Sequence, residues 1–142
     1  MNEQEIINGN KLIAVFMGGN DLGNGFNNLP IPNNKIIISN KCSKFYDELE
    51  YNSSWDWLML IIEKIERECG FHISIQPESC TITKYFILSP LFITNYSRGI
   101  AGNTKEVIVS AYGDCSDSKI LGVFECVIKF IKWYNDINNK VE

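Results

Sequence analysis

The sequence contains few of the residues on which catalytic sites and nucleic-acid-binding surfaces are commonly built. It has one histidine, His72, and only two arginines, Arg67 and Arg98, and its formal net charge is −4 over 142 residues. General binding to a nucleic-acid backbone requires many phosphate charges to be neutralised, so this balance argues against a general DNA- or RNA-binding protein. No spaced histidine pair, G-x-S-x-G motif or glycine-rich phosphate loop occurs, and no catalytic residue is predicted.

Cysteine pairs and long apolar runs are also lacking. The five cysteines are odd in number and include no C-x-x-C pair, which disfavours a zinc site and a complete disulfide framework. No apolar stretch approaches the roughly 20 residues that cross a bilayer, and no N-terminal signal pattern is present. We therefore expect a cytoplasmic protein with reduced cysteines and with no metal, cofactor or membrane partner.

What the chain does contain is the composition of a globular domain. Hydrophobic residues make up 45% and charged residues 21% of the sequence, close to the usual proportions. A chain of this length can bury a sizeable core without disulfides or metals. We predict a single domain over residues 1–142.

Three segments show the spacing of amphipathic helices. The first follows Asn2, a predicted cap, and stops at the glycine pair 18–19. The second follows the stretch YNSSWDW, where Asn52 or Ser53 is the predicted cap, and ends at Cys69 and Gly70. The third begins near Ser116 and repeats apolar residues on one face, namely Ile120, Val123, Phe124, Val127, Phe130, Ile131 and Tyr134.

The remaining apolar segments predict strands. Residues 71–76, FHISIQ, alternate apolar and polar side chains as a half-buried strand does. Further strands are predicted at residues 35–39, 80–88, 91–94 and 107–112. Residues 18–34 are predicted as an arm or long loop, and residues 95–106 as a long loop between strands. The order predicts an α+β fold, a sandwich of a mainly antiparallel sheet of about four strands with two or three amphipathic helices.

This order of segments resembles the phage ABA sandwich domain, a family of small proteins of phages and prophages. The matching pieces are the stretch YNSSWDW, the helix LMLIIEKIE closing with Gly70 and Phe71, the strand HISI, a strand beginning near Cys80, and the terminal helix SKILGVFECVIKFIKWYN. The resemblance covers about two thirds of the chain, from Ser39 to Asn135. It implies a phage-type accessory protein in the interior of the host cell, and it carries over no catalytic residue.

A polar loop, SRGIAGNTK at residues 97–105, is the predicted ligand-binding element. Its glycines would let the backbone approach a phosphate or nucleotide beside two cationic side chains. A plain flexible loop is the alternative interpretation. The candidate ligand-binding residues are Arg98, Gly99, Gly102, Asn103, Thr104 and Lys105.

The three tryptophans, Trp55, Trp57 and Trp133, are candidate interface residues, since tryptophan often anchors protein interfaces. Trp55 and Trp57 lie two positions apart, about 200° around a helix, so they cannot share one face. We expect one of this pair to pack on the sheet and the other to lie at a helix edge or in a partner surface.

Other residues have simpler interpretations. His72 is predicted to be solvated or to cap a helix, and Cys126 to belong to the core. Cys69 precedes a helix end, where the helix dipole raises the pKa of a thiol. Residues 113–118, GDCSDS, are predicted to cap the last helix with their own side chains rather than to hold an anion.

These observations favour a noncatalytic phage accessory protein that binds a host factor or a small anionic, nucleotide-like ligand, in a role that counters host defence. Self-association as a homo-oligomer is also predicted. One alternative is an enzyme of unrecognised type that uses carboxylates such as Asp47, Glu48 and Glu50. The other is a structural or packaging component of a virion.

Overall fold

The computed structural model describes residues 1–30, 42–87 and 105–140. The helices are α1 (Glu3–Phe16), α2 (Trp55–Arg67) and α3 (Lys119–Lys140). The strands are β1 (Asn20–Asp21), β2 (Phe26–Asn27), β3 (Ser43–Lys44), β4 (His72–Ile75), β5 (Ser79–Ile87) and β6 (Lys105–Asp114), with a 3₁₀ turn at Tyr46–Glu48.

The strands of the described residues form two separate antiparallel sheets. The smaller has the order β1-β2-β3 and the larger the order β4-β5-β6. In the larger sheet, β5 and β6 pair from Ser79 and Asp114 to Ile87 and Lys105. The predicted α+β class is confirmed, but the described strands are divided three and three rather than gathered into one sheet of about four. The predicted strands at 35–39 and 91–94 lie outside the described residues.

The first and second helices begin differently. Asn2 caps α1 as predicted, because its side chain accepts a hydrogen bond from the Glu5 backbone at 2.9 Å while Glu5 accepts one from the Asn2 backbone at 2.7 Å. The predicted side-chain cap of α2 is wrong. The cap position is Ser54, which makes no side-chain hydrogen bond to the helix, and the Asn52 side chain instead accepts one from Asn10 at 2.9 Å.

Helix α2 ends where the sequence predicts. Gly70 has a φ of +73°, a conformation that glycine adopts without steric cost. The chain therefore turns directly into β4, and Phe71 enters the core at 7% exposure.

The core lies between the larger sheet and α3, with α1 and α2 packed against them. The apolar face of α3 is buried as its spacing predicts. α3 approaches β6 closely, since a Cβ at Gly113 or at Gly122 would meet backbone of the other element. Gly9 lies in the middle of α1, where glycine is unfavourable for helix formation, and a Cβ there would meet Phe124 Cζ at 2.8 Å. Small residues therefore set how closely α3 packs.

The two predicted loop regions are described only in part. Residues 18–34 contain the hairpin of β1 and β2. Phe26 in β2 is buried, and so is Leu29, which follows β2. Residues 105 and 106, the last two of the predicted loop 95–106, are the first of β6.

Candidate functional site

Five aromatic side chains from three parts of the chain form one cluster, which we call the aromatic cluster: Phe16, Phe71, Phe130, Trp133 and Tyr134. Phe71 meets Phe130 edge to face with ring centroids 4.9 Å apart, and it meets Trp133 in the same way at 5.6 Å. Phe130 and Tyr134 are stacked at 5.5 Å. Such pairs stabilise beyond their buried area, so the cluster fixes the orientation of the Trp133 ring.

Two lysines lie over the rings of this cluster. The Lys84 ammonium is 5.1 Å from the centroid of Phe71, and the Lys64 ammonium is 5.5 Å from that of Phe16. Both distances fall within the range of cation–π attraction. Lys64 also forms an ion pair with Glu68 at 3.3 Å. The cluster thus carries positive charge at its edge in a chain whose net charge is −4.

A cavity of about 410 Å³ opens beside the aromatic cluster. We call it the aromatic pocket. Its volume falls in the range of small-molecule sites, which are largely apolar and contain a few polar groups that fix orientation. The lining residues are Cys69, Phe71, Lys84, Trp133, Tyr134, Ile137 and Asn138.

The local structure explains how the pocket is built. Cys69 lies just beyond the end of α2, and Phe71 follows the turn at Gly70. Lys84 belongs to β5, the central strand of the larger sheet. Trp133 and Tyr134 lie one turn beyond Phe130 on α3, so they remain near the core while being only partly buried. The pocket walls therefore belong to regular elements and the tight turn between two of them.

Cys69 is the thiol of this pocket. Burial raises the pKa of Cys69, while a hydrogen bond with Tyr134 and the charge of Lys64 oppose the shift. The direction predicted from the helix end is confirmed, but burial is the main cause. A thiol with a raised pKa stays protonated at neutral pH and is a poor nucleophile.

The three candidate interface tryptophans lie in different environments. Trp57 is buried at 5% exposure and meets the Tyr51 ring edge to face at 5.0 Å, whereas Trp55 is 39% exposed. One member of this pair is therefore buried and the other exposed, while packing of Trp57 on the sheet stays a prediction. Trp133 is partly buried and lines the aromatic pocket.

The predicted anion-binding loop falls almost wholly outside the described residues. Five of its six candidate residues lie outside the described ranges, namely Arg98, Gly99, Gly102, Asn103 and Thr104. The sixth, Lys105, is the first residue of β6. That loop remains a prediction.

The other residues considered from the sequence have structural roles. His72 is exposed as predicted, and its Nδ1 lies 3.7 Å from a Glu66 oxygen. Asp114 caps its own turn, since it accepts hydrogen bonds from the Ser116 hydroxyl at 2.7 Å and backbone at 2.9 Å. These bonds hold the pKa of Asp114 below its ordinary value. Cys126 is fully buried as predicted, and its hydrogen bond with Cys80, together with burial, raises the pKa of the Cys126 thiol.

A second groove, of about 430 Å³, lies between α1 and α3. Lys129, one of its charged residues, pairs with Glu125 at 2.9 Å and donates to the Tyr112 carbonyl at 3.2 Å. Glu5 is held in the cap of α1. The groove therefore lacks the aromatic walls and ring-facing lysines that distinguish the aromatic pocket.

The described ranges 1–30, 42–87 and 105–140 bring together no three His, Cys, Asp or Glu side chains in an arrangement that could hold a metal ion. Within the same ranges, no helix has both the length and the apolar character needed to cross a membrane. No protein-family model matches the sequence, and no curated protein or solved structure matches it. The resemblance to the phage ABA sandwich domain therefore stays a prediction.

Sequence reasoning found only part of this site. It identified Trp133 as a candidate, and it placed Phe130 and Tyr134 on one face of the last helix. It did not connect them with Phe71 and Lys84, which are about 50 to 60 positions earlier in the chain. The available signal was the aromatic spacing of 130, 133 and 134, which places three rings on one helix face.

Proposed function

We propose that this protein binds a small anionic ligand with a planar, nucleotide-like ring in the aromatic pocket. The observation that carries the proposal is the arrangement of Trp133 and Phe71 as ring surfaces, with the Lys84 ammonium 5.1 Å from the Phe71 centroid. A planar ring can stack on an aromatic side chain, and such stacking contributes about 1–3 kcal/mol per base.

The charge of the pocket favours an anion. Lys84 lines the cavity, and the charges of both Lys84 and Lys64 act on Cys69 in its wall. Glu68 pairs with Lys64, and Lys84 brings a second ammonium to the wall of the cavity. A phosphate or carboxylate next to Lys84 would be attracted across a partly apolar wall, where screening by water is weaker.

The cellular part of the proposal rests on the sequence. A phage-type accessory protein in the host cytoplasm that captures a nucleotide-like signal would counter a defence that depends on that signal. The sandwich arrangement with about four strands, which the order of the segments predicts, belongs to the same proposal.

Direct titration tests the proposal. Isothermal calorimetry on the whole chain would use a nucleoside monophosphate, the matching uncharged nucleoside and inorganic phosphate as separate probes. We expect the nucleotide to bind best, because it alone uses both the rings and the lysine. Lys84→Gln should weaken nucleotide binding about tenfold, the effect of losing one charge-assisted contact, without changing nucleoside binding.

Lys119→Gln is the matched control, since Lys119 is exposed at the opposite end of α3. Trp133→Leu should weaken both nucleotide and nucleoside, because it removes a ring surface and keeps an apolar side chain. The proposal is wrong if no probe binds at millimolar concentration, or if Lys84→Gln and Lys119→Gln have equal effects.

A second candidate function is the capture of a host protein by α2. Trp55 and Met59 lie four positions apart on one helix face and are 39% and 47% exposed. Exposed tryptophan and methionine side chains are typical of protein-binding surfaces. Pull-down from host extract with wild type and with Trp55→Ser tests this function, and equal recovery by the two proteins would exclude this face.

A further inference from the structure

The smaller sheet exposes two large apolar side chains next to each other. Leu22 is 64% and Phe45 is 63% exposed, the two highest values among the large hydrophobic residues of the described chain. Both line one shallow cleft of about 160 Å³. We call this surface the hairpin face, and its other lining residues are Asn24, Gly25, Phe26, Ser43 and Lys44. Isolated exposed apolar residues are common, whereas these two line the same cleft.

The backbone beneath this face is well fixed. Leu22 donates a backbone hydrogen bond to the Gly25 carbonyl at 2.8 Å. Phe26 is buried and meets the Tyr46 ring edge to face at 5.6 Å. The Tyr46 hydroxyl in turn donates to Asp21, so the hairpin and the 3₁₀ turn are tied together.

Gly25 lies close against the backbone of β3. Its φ is +155°, and a Cβ at this position would lie against the Lys44 carbonyl and 3.2 Å from Phe45 Cα. The absence of a side chain lets the β1–β2 hairpin lie directly on the backbone of β3. Phe45, directly after β3, is 63% exposed.

The charges beside Phe45 are complementary to each other. Lys44 precedes it, and the Glu48 carboxylate accepts a hydrogen bond from the Phe45 backbone at 2.7 Å. Lys44 is the one charged residue among the described residues that line the cleft. In a contact between two copies related by a two-fold axis near Phe45, Lys44 of each copy can approach Glu48 of the other, and the same apolar surfaces meet.

We propose that the hairpin face binds the same face of a second copy of this chain, so that Phe45 of each copy enters the cleft of the other. A second copy fits this surface because the face offers both an exposed ring and a cleft, with Lys44 in the cleft and the Glu48 carboxylate bonded to the Phe45 backbone. The face is small, so we expect a weak, reversible dimer of the kind that small interfaces form. This surface is separate from the aromatic pocket.

Sedimentation equilibrium of the whole chain between about 1 and 500 µM tests the proposal. We expect the average mass to rise from that of the monomer to that of the dimer. Phe45→Glu should raise the dissociation constant at least about tenfold, because it places a carboxylate in an apolar contact. Val15→Glu is the matched control, since Val15 is 53% exposed on α1, and its dissociation constant should equal that of wild type.

A charge reversal gives an independent test. Lys44→Glu should weaken the dimer by placing like charges together, and adding Glu48→Lys should restore it by recreating the pair in the opposite sense. Circular dichroism confirms that each variant is folded, and Leu22→Ser replaces Phe45→Glu if the latter is not. A monomer at all concentrations, or a dimer equally stable in the Phe45 and Val15 variants, would overturn the proposal.

Discussion

Replacing Gly122 with alanine has two opposite effects on the free energy of unfolding, one from helix propensity and one from tertiary packing. Alanine is favoured over glycine inside a helix by about 1 kcal/mol, so the sequence of α3 alone predicts a gain in stability. In the fold, a Cβ at Gly122 would overlap the Asp114 carbonyl oxygen and lie 2.6 Å from Cys115 Sγ. Because the first obstacle is backbone of β6, it cannot rotate away as a side chain can. We expect the substitution to destabilise the protein.

The magnitude follows from these two opposing effects. Overpacking a core costs about 1–3 kcal/mol, and contact with backbone places this site near the upper end. Subtracting the gain in propensity of about 1 kcal/mol leaves a net loss of about 2 kcal/mol in the free energy of unfolding. With a urea dependence of about 2 kcal/mol per molar, the unfolding midpoint should fall by about 1 M.

Urea unfolding followed by circular dichroism measures this midpoint. Lys132→Ala is the control, since Lys132 is exposed on the same helix and surface substitutions usually change stability by less than about 0.5 kcal/mol. A Gly122→Ala variant with a midpoint equal to or above that of wild type would refute the close approach of α3 to β6.

Three further predictions concern individual side chains. Asn2→Ala should lower the free energy of unfolding by about 1 kcal/mol, because the cap of α1 is lost, and urea midpoints check this. Tyr51→Phe should raise it by about 1 kcal/mol, since the buried Tyr51 hydroxyl has no hydrogen-bond partner among the described residues; a lower midpoint would contradict this. Asp114 has a folded pKa below its unfolded value, so its contribution is present above the unfolded pKa and disappears as pH falls through the folded one. Ser116→Ala should reduce this acid-dependent loss, which urea midpoints from about pH 6 to pH 3 would show.

Much of the fold follows from local patterns. The apolar spacing of α2 and α3, the cap at Asn2 and the stop at Gly70 all act within a few residues, so they can be predicted from the sequence. The alternation in β4 has the same origin. The cap of α2 could not be predicted in this way, because the Asn52 side chain is used by Asn10, which lies 42 positions away.

The division of the strands into two sheets also depends on distant pairing. β2 pairs with β3 across residues 28–42, and nothing in either two-residue strand specifies its partner. Gly9 shows a similar limit, since local propensity marks it as unfavourable while packing against Phe124 requires a small residue.

The sequence by itself determined where the helices and several strands form, because those preferences arise from the backbone and from neighbours one turn or one pleat away. Only the tertiary structure brought Phe71, Lys84 and Trp133 around one cavity and placed Leu22 beside Phe45. The physical reason is that a binding surface depends on distances between elements. Those distances are set by how closely the buried faces pack, as the contacts at Gly25 and Gly122 show.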